Sequence, residues 1–182
     1  MLKEFRIYKP FKDKTTGQFK GAASKIELRR KDVEKVDAEG KKYTVYEWMM
    51  FWTGTVQKGE DDKGNASFDW QTKEKPGKQV CLKLGDPDVG DLLAVLNGQK
   101  PQVGGMAGKG IYHENDKGNS SLTFKYNDGK VDGAQKYEPS YRVRVSSKIG
   151  STLVAAEHSI TLGEAEILKE ILLGYVRKKY LQ

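Results

Sequence analysis

At 182 residues the chain is long enough for one domain or two small fused ones. A hydrophobic share of 37% and 20 glycines exclude a wholly disordered tail and a collagen-like repeat, and a single cysteine, Cys81, excludes a disulfide scaffold. The net charge of +7 points to an acidic or polyanionic partner, and one unpaired thiol fits a reducing, cytoplasmic compartment.

Most of the charge excess lies in residues 1–30, where Lys3, Arg6, Lys9, Lys12, Lys14, Lys20, Lys25, Arg29 and Arg30 outnumber Glu4, Asp13 and Glu27. Phe5, Tyr8, Phe11 and Phe19 are interleaved with these bases. Cations neutralise phosphates and aromatic rings stack on unpaired bases, so this mixture points to nucleic acid. The segment has no apolar stretch of signal-peptide type, and no run nears the ~20 residues of a membrane span.

Ser24–Arg30 alternates Ile26 and Leu28 with polar residues, which predicts a half-buried strand. Asp37–Gly40 supplies a hairpin turn, and Tyr43–Val56 is a long aromatic and β-branched strand with Gly54 inside it. Alternation sends Trp48, Met50 and Trp52 to one face and Glu47, Met49 and Phe51 to the other. Which face is core and which meets a ligand stays open, as it does for Trp70. Gln79–Leu84 is a short strand that predicts a buried Cys81 thiol.

Asp86–Asn97 is a helix with Asp86 as its N-cap, Pro87 at the first helical position and Gly98 as its stop. Residues 99–110 form a linker whose glycine-rich end, Gly104–Gly110, lacks the first glycine and the Ser or Thr of a phosphate-binding loop. Ser121–Tyr126 and Tyr141–Val145 alternate as strands, with turn chemistry at Asn127–Gly129 and more bases at Lys136, Arg142, Arg144 and Lys148. The last helix runs from Leu162 to Tyr180, capped by Thr161 with Glu164. It carries a stripe of Ile167, Leu168, Ile171, Leu172, Tyr175 and Val176.

The two halves, 1–98 and 111–182, repeat one order: antiparallel strands, a short strand, a capped turn and a Leu-rich helix. The fold class is therefore α+β, with two β-β-β-β-α units in one domain. Packing two such small units together enlarges a core that neither fills alone.

Catalytic chemistry does not emerge. His113 and His158 lack metal-ligand spacing, Cys81 has no histidine partner, and Asp86, Asp88 and Asp91 fit helix-start roles. No enzyme activity, metal or cofactor is expected.

Several segments carry a family likeness. Phe19–Ser24 (FKGAAS), Phe68–Trp70 (FDW) leading into QVCLKL, Ile111–Asn115 (IYHEN) and Ser159–Leu168 (SITLGEAEIL) resemble, in order and spacing, the motifs of the Whirly proteins. More distantly the chain is similar to the positive-cofactor-four transcriptional coactivators. It departs where Ala22 follows Gly21 in place of the family's second lysine. The resemblance implies curved antiparallel sheets with the helices packed at the centre, assembly of chains through their helices into a homo-oligomer, and binding of single-stranded DNA with little sequence preference. It also implies a task in replication, recombination or repair.

On this reading Lys9, Lys12, Lys20, Lys75, Lys78, Lys125, Arg142 and Arg144 hold phosphates. Tyr8, Phe11, Phe19, Trp48, Trp52, Tyr112, Phe124 and Tyr126 stack on bases. RNA binding or transcriptional coactivation on the same fold are the alternatives, and a glycan- or peptide-binding module is a third whose affinity would ignore salt.

Overall fold

The computed structural model describes residues 4–71, 78–104, 110–116 and 118–181. The first half comprises β1 (Glu4–Lys9), β2 (Ala22–Val36), β3 (Lys42–Glu60), β4 (Ala66–Phe68), β5 (Gln79–Leu84) and α1 (Asp86–Leu96). The second comprises β6 (Ile111–Asn115), β7 (Gly118–Asn127), β8 (Lys130–Asp132), β9 (Gln135–Tyr137), β10 (Ser140–Ile149), β11 (Thr152–Thr161) and α2 (Leu162–Tyr180). In the first sheet β1, β2, β3 and β5 lie side by side, all antiparallel, with β4 further along the β3 edge. In the second, β6, β7, β10 and β11 follow one another the same way, and β8 and β9 form a small separate hairpin. Each meander feeds a helix, and neither helix is long and apolar enough to cross a membrane.

Alternation decides the inner faces. Ile26, Trp52 and Leu82 share a register row on the first sheet, and Phe124, Val143 and His158 share one on the second; all are buried. The sheets meet over one core, with the Trp52 and Phe124 rings 6.0 Å apart and tilted by 66°. The sheets come close at Gly54, where a Cβ would stand 2.9 Å from that of Val145 and 3.2 Å from that of Ala156. Only a residue without a side chain lets the strands approach this far.

Three buried polar groups cross the interface. Trp52 Nε1–H donates to Ser24 Oγ at 3.0 Å, and Ser24 Oγ lies 2.7 Å from His158 Nε2. The Ser159 carbonyl, 3.4 Å from His158 Nδ1, can only accept, which assigns the hydrogen of the neutral ring to Nδ1 and leaves Nε2 to accept from the Ser24 hydroxyl. Burial lowers the His158 pKa below its ordinary 6.5. Lys9 lowers it further, while the Ser159 carbonyl and Glu164 pull the other way. The unfolded chain therefore binds a proton as pH falls through 6.5 while the folded one resists. Stability is expected to decline from pH 7.5 to pH 5 through this group, and His158→Gln to flatten that part of a urea-midpoint series. An unchanged slope in the variant counts against the buried neutral ring.

Both helices bury the stripes that their periodicity predicts, with corrections at the ends. The N-cap of α1 is Gly85, not Asp86: its N–H donates to Asp88 Oδ2 at 2.7 Å, while Asp86 turns away toward α2. There Asp86 accepts from Tyr175 Oη and from Lys179 Nζ, each at 2.7 Å, and from Tyr180 Oη. The Lys179 ammonium, then the tyrosine hydroxyls, hold its carboxyl down to about 2. Thr161 caps α2, its Oγ1 accepting from the Glu164 N–H at 3.2 Å as Glu164 accepts from the Thr161 N–H at 2.7 Å. Ile167, expected in the buried stripe, is exposed, and Ala165 takes its place inside.

The start of the linker is fastened. Tyr126 N–H donates to the Pro101 carbonyl at 2.9 Å, Val103 N–H to that of Phe124 at 3.0 Å, and Gly104 N–H to Asp91 at 2.7 Å. Residues 105–109 lie outside the described part.

Candidate nucleic-acid interface

The outward side of the first sheet is fixed by the residues that its inward side buries. Because Ile26 and Leu28 point in, Lys25, Glu27 and Arg29 point out. Pairing aligns Arg6, Lys25, Thr53 and Cys81 in one row and Glu4, Glu27, Phe51 and Lys83 in the next. Cys81 is thus exposed, against the expectation of a buried thiol, because β5 buries Val80, Leu82 and Leu84 instead.

Aromatic rings cross this face beside cations. Tyr8 packs on Phe68, centroid to centroid 5.3 Å, at the β4 end. Lys25 Nζ lies 5.9 Å from the centre of the Trp70 ring, and the Arg29 guanidinium 4.5 Å from that of Phe51. Successive outward residues on a strand are ~7 Å apart, so the register spreads rings along the sheet as a series rather than one cluster. Glu27 sits among the bases, within 2.7 Å of Arg29 and 3.0 Å of Lys25. Burial works against its charge, but the two bases outweigh it and keep its pKa below the ordinary value.

The expected site residues divide among several places. Tyr8 stands on this face. Phe11, Lys12, Phe19 and Lys20 lie in the turn between β1 and β2, where Lys12 lies 5.0 Å from the centre of the Phe19 ring and Lys20 pairs with Asp13 at 2.6 Å. Phe11 is 57% exposed. Lys9 instead binds Glu164 at 2.7 Å, tying β1 to the start of α2, and Lys78 is exposed just before β5. Lys75 lies outside the described residues.

Trp52 and Phe124 require correction. Each is 0% exposed in the core, so neither ring can receive a base. Tyr126 also lies on the core side, half-buried with its ring 5.3 Å from that of Tyr141. Trp48 shares the inward side of β3 but lies where the core ends, half-buried, with Lys178 Nζ 5.2 Å from its ring centre.

On the second sheet Lys125, Arg142 and Arg144 share the outward side with Glu157, which pairs with both arginines. Tyr112, exposed at the β6 edge, is the one expected stacking residue there that remains open. This face is cationic and poor in rings.

The residues of this face outside the expected site are Phe51, Phe68, Trp70 and Lys83, with Arg6, Lys25 and Arg29, which the basic stretch of residues 1–30 contains without assigning them to phosphates. The signal that finds Phe51 lies in its partner strand, since the apolar alternation of β2 selects which half of YEWMMFW faces water. Among the described residues no group of three or more His, Cys, Asp or Glu is placed to hold a metal. His113 instead meets Asp88, with Nε2 to Oδ2 at 3.0 Å.

Neither a family model nor a curated protein matches the chain. Solved structures do. The plant transcriptional regulator PBF-2 superposes with a TM-score of 0.63 at 14% identity, over 97% of this chain and 81% of that one. WHY3 of Arabidopsis thaliana gives 0.62 at 13% identity, over 98% and 89%. Both are Whirly proteins. The chain has the Whirly fold. A trypanosome MRP1/MRP2 structure is similar with a TM-score of 0.52 at 14% identity, over 97% of this chain and 86% of that one. At this identity the likeness carries the Whirly fold across and leaves the chemistry to the side chains described above.

Proposed function

We propose that this protein binds single-stranded DNA with little sequence preference, as a binding protein and not an enzyme, in DNA replication, recombination or repair. The observation that carries this reading is the outward face of the first sheet, where Tyr8, Phe68, Trp70 and Phe51 are interspersed with Arg6, Lys25, Arg29 and Lys83. Rings take any base, at roughly 1–3 kcal/mol per stack, and the cations take phosphates. A duplex hides its base faces and can use only the cations. The Whirly fold supports the reading, because it turns the side of the first sheet that carries Lys25, Arg29 and Phe51 away from the core, although Thr53 and Thr55 on that side are buried and Thr55 Oγ1 donates to the Asp69 and Lys78 carbonyls. The chain acts as one domain built from two repeats and works as a homo-oligomer; exposed Leu162 and Ile167 on α2 suit contact between copies.

A salt titration tests it. Oligo-dT is expected to bind at least about tenfold more tightly than its duplex, with affinity falling linearly on a log–log plot against salt. Equal affinity for strand and duplex would reduce the protein to a generic polycation. A matched RNA in competition reads the sugar preference.

A further inference from the structure

Beyond Leu28, β2 and β3 leave the sheet as a two-stranded ribbon, since β1 pairs only as far as Glu27 and β5 only as far as Met50. At its foot, between the freed edge of β3 and the C-terminal end of α2, lies a groove of about 480 Å³. Tyr46 and Trp48 form its ribbon wall, Lys178 and Lys179 its helix wall, and Lys83 its rim. Tyr46 is 59% exposed, and the Arg30 guanidinium lies 4.4 Å from its ring centre, supporting one face. Two carboxylates line the groove: Asp86 is taken up by Lys179, Tyr175 and Tyr180, and Glu47 is exposed on the outward side of β3, opposite to that of Tyr46 and Trp48. Among the described residues no carboxylate pairs with Lys83 or Lys178.

We infer that this groove is a second base-binding site, which receives one nucleotide of the strand held on the outward face. The inference rests on the proposed reading of that face and extends it. The chemistry commits to a nucleotide: two rings offer apolar faces and two lysines without carboxylate partners offer charge for a phosphate, whereas an acidic peptide would leave the rings without partners. Continuity supplies the path. Lys83 lies in the same register row as Phe51 and also on the groove rim, so a backbone crossing Phe51 reaches the β3 edge beside it. The base then turns under the edge onto Tyr46 and Trp48. Lys178, on its flexible stem, leaves the Trp48 ring for the phosphate.

An oligo-dT ladder tests this with the full chain carrying Trp70→Phe, which leaves Trp48 as the accessible tryptophan. Short strands that fill only the outward face are expected to bind without changing Trp48 emission, and longer ones to quench it. Tyr46→Ala should weaken the long strands about tenfold, the loss of one stack, and leave the short ones unchanged. Lys178→Ala should lower the salt slope for long strands by about one. If every length binds while emission, affinity and slope stay the same in these variants, the groove assignment falls and the outward face stands. If no length binds the unmodified chain, both fall together.

Discussion

Phe51→Ala combined with Trp70→Ala is expected to weaken oligo-dT binding about a hundredfold at fixed salt, measured by fluorescence anisotropy. Each ring removes one platform worth roughly 1–3 kcal/mol, and the two losses multiply when the rings take different bases. Both side chains are half-exposed on the outward face, so the thermal midpoint should move little. The salt slope should also persist, because Lys25 and Arg29 remain. Unchanged affinity in the double variant would remove the first sheet from the site and turn attention to Lys125, Arg142 and Arg144 on the second.

Trp52→Ala should give the opposite pattern. Its ring is fully buried against Phe124 and its indole N–H anchors Ser24. Truncation leaves a large cavity and costs about 3–5 kcal/mol, read as a drop in the urea midpoint. The fraction that remains folded should bind DNA as before, since Trp52 takes no part in the outward face. A variant with normal stability and lost binding would reverse the assignment of the two faces of β3. The two tests together separate tryptophans that look alike in the sequence.

That likeness explains what could be read in advance. The helices were legible because Thr161 with Glu164, Pro87 and the Leu-rich stripes act locally, within a turn or two of the chain. The strands were legible through Ile26, Leu28, Val143 and Val145. The shift of the α1 cap to Gly85 was not, since Asp86 is drawn off by Tyr175 and Lys179, some 90 residues away along the chain. The exposure of the β2–β3 ribbon was hidden for a different reason. Charged residues such as Lys31, Asp32 and Glu34 have no buried side to mark, so alternation fades where the ribbon leaves the sheet.

For the site, residue types were legible and sidedness was not. A strand rich in Tyr, Trp, Met and Phe on both faces gives no internal vote for which half faces water. The vote comes from the partner strand, through cross-strand register. Aromatic character alone cannot tell a wedge between two sheets from a platform on one, which is why Trp52 and Phe124 read from the sequence as stacking residues and lie in the core.

The side chains of Val145 and Ala156 close over the bare backbone at Gly54. With Val145 and Ala156 pressed against that position, one slab cannot rock over the other without losing its seat. If the outward face takes single-stranded DNA as proposed, this seam holds the two sheets in one arrangement beneath the strand. Tightening the proposed fit would then mean changing what the outward face displays and leaving the seam at Gly54 as it is.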